Sequence, residues 1–134
     1  MAEELKSIWI VDDDLIARML IKKRLEKESF SQTIIEFENG KEAFDAYLKL
    51  EGKAEEPELI LLDLNMPVMD GWTFLDSIAK QSSESDSLPS VAILTSSIDQ
   101  EDRDQAKQYS NVISFLKKPL DLNVLKEDFK KWKS

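Results

Sequence analysis

The chain reads as an α/β domain built on one parallel sheet, and three features of its 134 residues predict this. Five short apolar or β-branched runs recur: Ile8 to Val11, Thr33 to Phe37, Leu59 to Leu62, Val91 to Leu94 and Ile113 to Leu116. The first, third and fourth are nearly continuous in apolar residues, the pattern of strands covered on both faces. Segments with helical spacing lie between the runs, so β-α repeats five times. That order implies right-handed crossovers with helices on both faces of the sheet.

Each element has its own signal. Asp14 is a candidate N-cap for a helix whose inward stripe is expected at Ile16, Ala17, Leu20, Ile21 and Leu25. Asn39-Gly40 opens a second helix with Ala43, Tyr47 and Leu50 inward. Asp70 precedes a third, striped by Leu75, Ile78 and Ala79. Asp99 to Tyr109 carries only Ala106 and Tyr109 as apolar residues, so a thinly anchored helix is expected there. Phe115 alternates with Ile113 along the last strand. Asp121 then caps a final helix, with Leu122, Leu125, Phe129 and Trp132 expected in the core. Glu51 to Glu58 and Gln81 to Ser90 read as loops, neither with the character of an interdomain linker.

Composition narrows the function. A length near 134 residues with 42% apolar content fits one compact domain and excludes a disordered chain. No apolar run exceeds four residues, against the roughly 20 of a membrane helix, so no membrane insertion is expected. The acidic N-terminus lacks the apolar stretch of a signal peptide, and the reading is a cytoplasmic protein. With no cysteine, disulfides, thiol chemistry and Cys-based zinc sites drop out. With no histidine, the commonest acid/base group and phosphohistidine donor drop out as well. The net charge of -9 repels nucleic-acid phosphates, so direct nucleic-acid binding is not expected. The residues from Lys117 onward nevertheless carry six lysines against three acids.

In an open α/β sheet, ligands bind beyond the carboxyl ends of the strands. There the first run ends in Asp12, Asp13 and Asp14, and the third in Asp63, followed by Leu-Asn-Met-Pro-Val-Met-Asp-Gly. The fourth ends in Thr95-Ser96-Ser97 and the fifth in Lys117-Lys118-Pro119. Clustered carboxylates repel unless a proton or hard dication intervenes, and an all-oxygen set suits Mg²⁺ or Mn²⁺. Such an ion would gather phosphate oxygens beside a carboxylate nucleophile, a setting for an aspartyl phosphate. Lys118 and Thr95 would then hold the transferred group.

With Ile-Trp-Ile-Val-Asp-Asp-Asp, Leu-Ile-Leu-Leu-Asp-Leu-Asn-Met-Pro-Val-Met-Asp-Gly, Ala-Ile-Leu-Thr-Ser and Phe-Leu-Lys-Lys-Pro in this order, the sequence resembles the receiver domain of two-component response regulators. The likeness is to the single-domain, CheY-like kind and spans Lys6 to Trp132. It implies a flavodoxin-like (βα)5 fold with strand order 2-1-3-4-5. It also implies a single receiver domain over 1–134, with its core at 6–132 and no output domain. By the resemblance, Asp63 is the phosphoacceptor, and Asp12 and Asp13 are the acidic pair, Asp13 binding the metal directly and Asp12 through water. Asn65 supplies a backbone carbonyl to the metal, Thr95 is the switch hydroxyl, Phe115 the switch aromatic, and Lys118 the phosphoryl-pairing lysine. The Lys118-Pro119 peptide is expected to be cis by analogy. Asn111 departs from the glycine usual in the family at that turn, a place where Asn tolerates left-handed geometry.

The implied function is a signalling phosphoacceptor in a two-component phosphorelay, not an enzyme beyond its own self-phosphorylation and autodephosphorylation. The donor would be a sensor histidine kinase or a histidine phosphotransfer protein. Output would pass through Asp99 to Tyr109, the fifth strand and the last helix, to a downstream protein or a phosphorylation-dependent homodimer. Two other readings compete. A Mg²⁺-dependent aspartyl-phosphate phosphohydrolase of the haloacid dehalogenase-like pattern wants a second Asp two residues after the nucleophile, where this chain has Asn65. A constitutive interaction receiver usually lacks one of the acidic, Thr or Lys positions, and all are present here. A flavin carrier is disfavoured, since three glycines supply no phosphate-cradling loop.

Overall fold

The computed structural model describes residues 5–51, 55–81, 88–96 and 98–133. Its elements are β1 (Leu5–Val11), α1 (Leu15–Lys27), β2 (Ser31–Phe37), α2 (Gly40–Leu48) and β3 (Leu59–Leu62), followed by α3 (Gly71–Gln81), β4 (Ser90–Thr95), α4 (Gln100–Ala106), β5 (Val112–Lys117) and α5 (Leu122–Lys133). All neighbouring strands pair in parallel, in the order β2-β1-β3-β4-β5. This is the doubly wound, flavodoxin-like sheet that the sequence implies. The middle parts of both expected loops, residues 52–54 and 82–87, lie outside the described residues, as does Ser97.

The sheet separates two apolar layers. On one face Trp9, Val11, Ile60, Leu62, Val91 and Ile93 meet Ala43 of α2, Phe74, Leu75 and Ile78 of α3, and Ala106 of α4. On the other, Ile8, Ile10, Leu59, Leu61, Ala92 and Leu94 meet Ile21 and Leu25 of α1 and Leu122 and Leu125 of α5. β3 and β4 are buried at every residue, which is why their sequences are apolar without alternation. The caps form as expected. Asp14 accepts from Ile16 and Ala17 N–H, Asn39 from Glu42, Asp70 from Thr73, and Asp121 from Asn123 and Val124; Asp99, not among the expected caps, accepts from Glu101 N–H at the start of α4. In α4 only Ala106 is buried, so this helix is thinly anchored as expected.

Four expectations are corrected. α1 buries Arg18, Ile21 and Leu25, and the Asp14 cap leaves Leu15, Ile16, Met19 and Leu20 facing outward, Leu20 63% exposed. In α3, Phe74 is buried and Ala79 is exposed. Trp132, one turn past the half-buried Phe129, is exposed near the end of α5 instead of joining the core. Finally, Val112 pairs with Val91 but Ser114 pairs with Ala92, so Ile113 is an extra residue in a β-bulge. The bulge sends Ile113 to the α1/α5 layer and Phe115 to the α3/α4 layer, so the two do not share a face.

Asn111 does not take left-handed geometry: among the described non-glycine residues only Ser29 and Val68 have positive φ. It is buried, its amide donates to Pro89 O at 2.9 Å, and its carbonyl accepts from Val91 N–H at 2.8 Å. Asn thus ties the turn before β5 to the start of β4.

Candidate functional site

β1, β3, β4 and β5 end on one rim, and each delivers one of the expected residues to it. Asp12 directly follows β1, and its N–H donates to Phe37 O at 3.1 Å, one rung past the end of the β1–β2 ladder. Asp63 follows β3 and is fixed by its N–H to Val11 O at 2.9 Å. Thr95 closes β4, and Lys118 follows β5 with its N–H on Thr95 O at 2.7 Å. Asp12, Asp63 and Thr95 are buried, and Asp13 is exposed.

Carboxylate oxygens of Asp12, Asp13 and Asp63 lie within 4.8 Å of one another. That is close enough for one cation to touch all three, and without one the charges repel. Burial first, and then the charge of Asp12, push the Asp63 carboxyl up to about 6, against the lowering influence of Lys118 and a main-chain hydrogen bond from Asn65. Burial alone would lower the Lys118 ammonium. The hydrogen bond and charge of Asp12, with Asp63 behind them, override this and raise it. Lys118 Nζ lies 2.6 Å from Asp12 Oδ2 and 3.7 Å from Asp63 Oδ2. The Lys118-Pro119 peptide is cis, as the resemblance implied. Asp14 stands outside the cluster as the helix cap, its N–H donating to Asp12 Oδ1 at 2.9 Å.

The rim also needs empty space. A Cβ on Gly71 would sit 2.7 Å from Asp63 O and 3.0 Å from Leu64 Cα, so only glycine lets α3 begin this close to β3. Between them Val68 has φ 70°, with Met69 N–H on Pro67 O at 2.7 Å, a tight turn that carries the chain past the site. Phe115 pairs in register with Ile93, and Thr95 with Lys117. Side chains on a strand alternate, so Phe115 and Thr95 project to the same face of neighbouring strands. The Phe115 ring is half-buried and lies under the Arg103 guanidinium of α4, 5.4 Å from its centroid.

Two residues at the site were not singled out from the sequence, Arg18 and Glu36. Arg18 Nη1 donates to Asp12 O at 2.5 Å, and Arg18 Nε donates to Glu36 Oε1 at 3.2 Å. A signal was present: Arg18, Ile21 and Leu25 are spaced as one face of a helix, with the charge in its first turn.

A buried acidic pocket at the carboxyl edge of a 2-1-3-4-5 sheet, with a lysine at its rim, defines a phosphoacceptor class of signalling domain. The chain belongs to the response regulator receiver domain family, whose profile matches residues 8–130. It is 38% identical over 128 residues to the probable methanogenesis regulatory protein FilR2 of Methanothrix harundinacea, covering 93% of this chain and 79% of that one. It is 42% identical over 71 residues to the chemotaxis protein CheY of Bacillus subtilis, spanning 53% of this chain and little over half, 54%, of CheY. A two-component response regulator from Cytophaga hutchinsonii superposes with a TM-score of 0.85 at 27% identity, over 96% of this chain and 97% of that one. The chain is thus a CheY-like receiver domain of the two-component type, a signalling module. No helix among the described residues is long and apolar enough to cross a membrane.

Proposed function

We propose that Asp63 is the phosphoacceptor, and that it takes its phosphoryl group from a phosphohistidine on a sensor histidine kinase or histidine phosphotransfer protein. The observation that carries this reading is the convergence of three carboxylates within 4.8 Å with the Lys118 ammonium beside them. An Asp63 carboxylate oxygen attacks phosphorus as the P–N bond to the donor imidazole breaks, and that imidazole leaves and takes up a proton. Lys118 offers its charge to the phosphoryl oxygens, and the Thr95 hydroxyl offers a hydrogen bond from the neighbouring strand end. Asp12, Asp13, Asp63 and the Asn65 carbonyl form an all-oxygen donor set that fits Mg²⁺, or Mn²⁺ in its place. When bound, the ion neutralises the carboxylates and the incoming phosphoryl oxygens.

The donor's landing surface is α1. Leu15, Ile16, Met19 and Leu20 form an exposed apolar strip immediately beyond Asp12 and Asp13. Such a strip beside a buried nucleophile suits a partner helix carrying the phosphohistidine.

Output runs the other way, through Thr95 and Phe115. Closure of Thr95 on the phosphoryl group would free space on the face it shares with Phe115, and α4 has little buried surface to resist the shift. The surface of α4, β5 and α5 is then the partner or homodimer face, with Glu101, Asp102 and Asp104 on α4 facing a lysine-rich α5 in the second copy.

Incubation with acetyl phosphate and Mg²⁺ followed by intact mass tests the assignment. Wild type should gain a single phosphoryl group, Asp63→Asn none, and Asp14→Asn nearly the wild-type amount. Full labelling of Asp63→Asn would refute it.

A further inference from the structure

Behind the acidic corner stands a buried cation that the chemistry assigned to Asp63 does not use. The Arg18 side chain is 10% exposed. A guanidinium at such a depth is costly unless it is paired and its donors are satisfied. Here it has two partners, the Asp12 carbonyl at 2.5 Å and Glu36 Oε1 at 3.2 Å, and Glu36 is held in turn by Lys22 Nζ at 3.6 Å.

The carbonyl it grips is informative. The Asp12 C=O and the Asp13 N–H belong to one planar peptide unit, so fixing the oxygen fixes the plane joining the two acidic residues. The Asp12 N–H is held independently by Phe37 O at 3.1 Å. Neighbouring residues of β2, Glu36 and Phe37, therefore hold Asp12 at both ends, one directly and one through Arg18. Arg18 also closes the first turn of α1 with its own N–H on Asp14 O at 3.0 Å.

We infer that Arg18, braced by Glu36, is a positioning residue that sets the relative aim of the Asp12 and Asp13 carboxylates and so the affinity of the pocket for a divalent cation. This rests on the proposed phosphoacceptor reading, because the cation matters through that reaction.

The test is the Mg²⁺ dissociation constant of the full chain by titration calorimetry, well below each variant's melting temperature, with acetyl phosphate labelling measured against Mg²⁺ concentration. Arg18→Met keeps the length of the side chain and should weaken Mg²⁺ on the order of tenfold, the scale for groups that orient metal ligands. Glu36→Gln should weaken it less, and Arg18→Lys should recover part of the loss. Labelling of all three should approach the wild-type rate at saturating Mg²⁺. Wild-type Mg²⁺ constants in Arg18→Met and Glu36→Gln, whatever their melting temperatures, would overturn the inference. Should Arg18→Met not fold, an unchanged constant in Glu36→Gln alone overturns it. A wild type that binds Mg²⁺ but takes up no phosphoryl group would instead overturn the functional reading, leaving Arg18 to be judged on the binding constants.

Discussion

Lys118 makes its closer contact with Asp12, at 2.6 Å, and stands 3.7 Å from Asp63. The ammonium thus occupies a carboxylate that the proposed metal set also needs. A dication and Lys118 compete for Asp12, and whatever draws the lysine away makes it available to Asp63. Lys118→Met should therefore bind Mg²⁺ several-fold more tightly than wild type while losing most of its labelling by acetyl phosphate. Calorimetry showing weaker Mg²⁺ binding in Lys118→Met would mean that the lysine supports the metal pocket and does not compete with it.

The Asp63 carboxyl gives a pH signature. Its value of about 6 in the folded chain exceeds the ordinary 3.8, so the folded state holds the proton more tightly than the unfolded state. The stabilisation is complete below about pH 4, is lost as pH rises through 6, and above that the metal-free protein carries a penalty. Asp63→Asn in EDTA should be more stable than wild type at pH 7.5 by about 1–2 kcal/mol, allowing for solvent screening. The gap should close toward pH 4. Melting curves in which it widens on acidification would contradict the raised value.

The apolar strip of α1 can be tested apart from the chemistry. Leu20→Glu lies on an exposed face and should change stability by no more than about 0.5 kcal/mol. Labelling by acetyl phosphate should be unaffected. Transfer from a phosphohistidine protein that labels wild type should fall by roughly tenfold or more, as for a central interface residue. Equal losses with both donors would show that the substitution acts on the site itself.

Val68 is β-branched, exposed and held at φ 70°, where glycine sits at no steric cost. Relief of about 1–2 kcal/mol of strain exceeds the entropy that glycine adds to the unfolded chain. Val68→Gly should raise stability by about 0.5–1 kcal/mol, seen as a higher urea midpoint with unchanged slope. A lower midpoint would show that the side chain earns its place by a contact in the folded state.

What the sequence revealed and concealed follows from which forces act locally. The central strands were legible because burial on both faces forces uninterrupted apolar runs, as in Leu59 to Leu62. Caps were legible because Asp14, Asn39, Asp70 and Asp121 act within three residues of themselves; Asp99 does the same before α4 but was not singled out. The site's composition was legible because strand ends converge in this topology. The direction of α1 was not: Ile16 and Leu20 have the spacing of a core stripe, but apolar residues spared for a surface look the same in sequence as apolar residues kept for the core. Arg18 was concealed for the converse reason, since a buried charge is recognisable only once Glu36 and the Asp12 carbonyl are seen around it. The preference of Lys118 for Asp12 depends on distances between three strand ends, and no local pattern encodes those.

The bulge in β5 bears on how this chain can change length. The strand spends six residues, Val112 to Lys117, on the five positions that Val91 to Thr95 present to it. Ile113 is the residue the sheet does not count. A chain shortened by removing Ile113 would keep Ser114, Phe115 and Lys117 opposite the same partners and Lys118 at the same height above Asp63. The same length change made at Leu116 could hold Lys118 in place only by straightening the bulge, which would turn Ser114 and Phe115 over to each other's layers. One residue of slack upstream thus lets this strand absorb a deletion without moving its chemistry, at the cost of whatever Ile113 packs against.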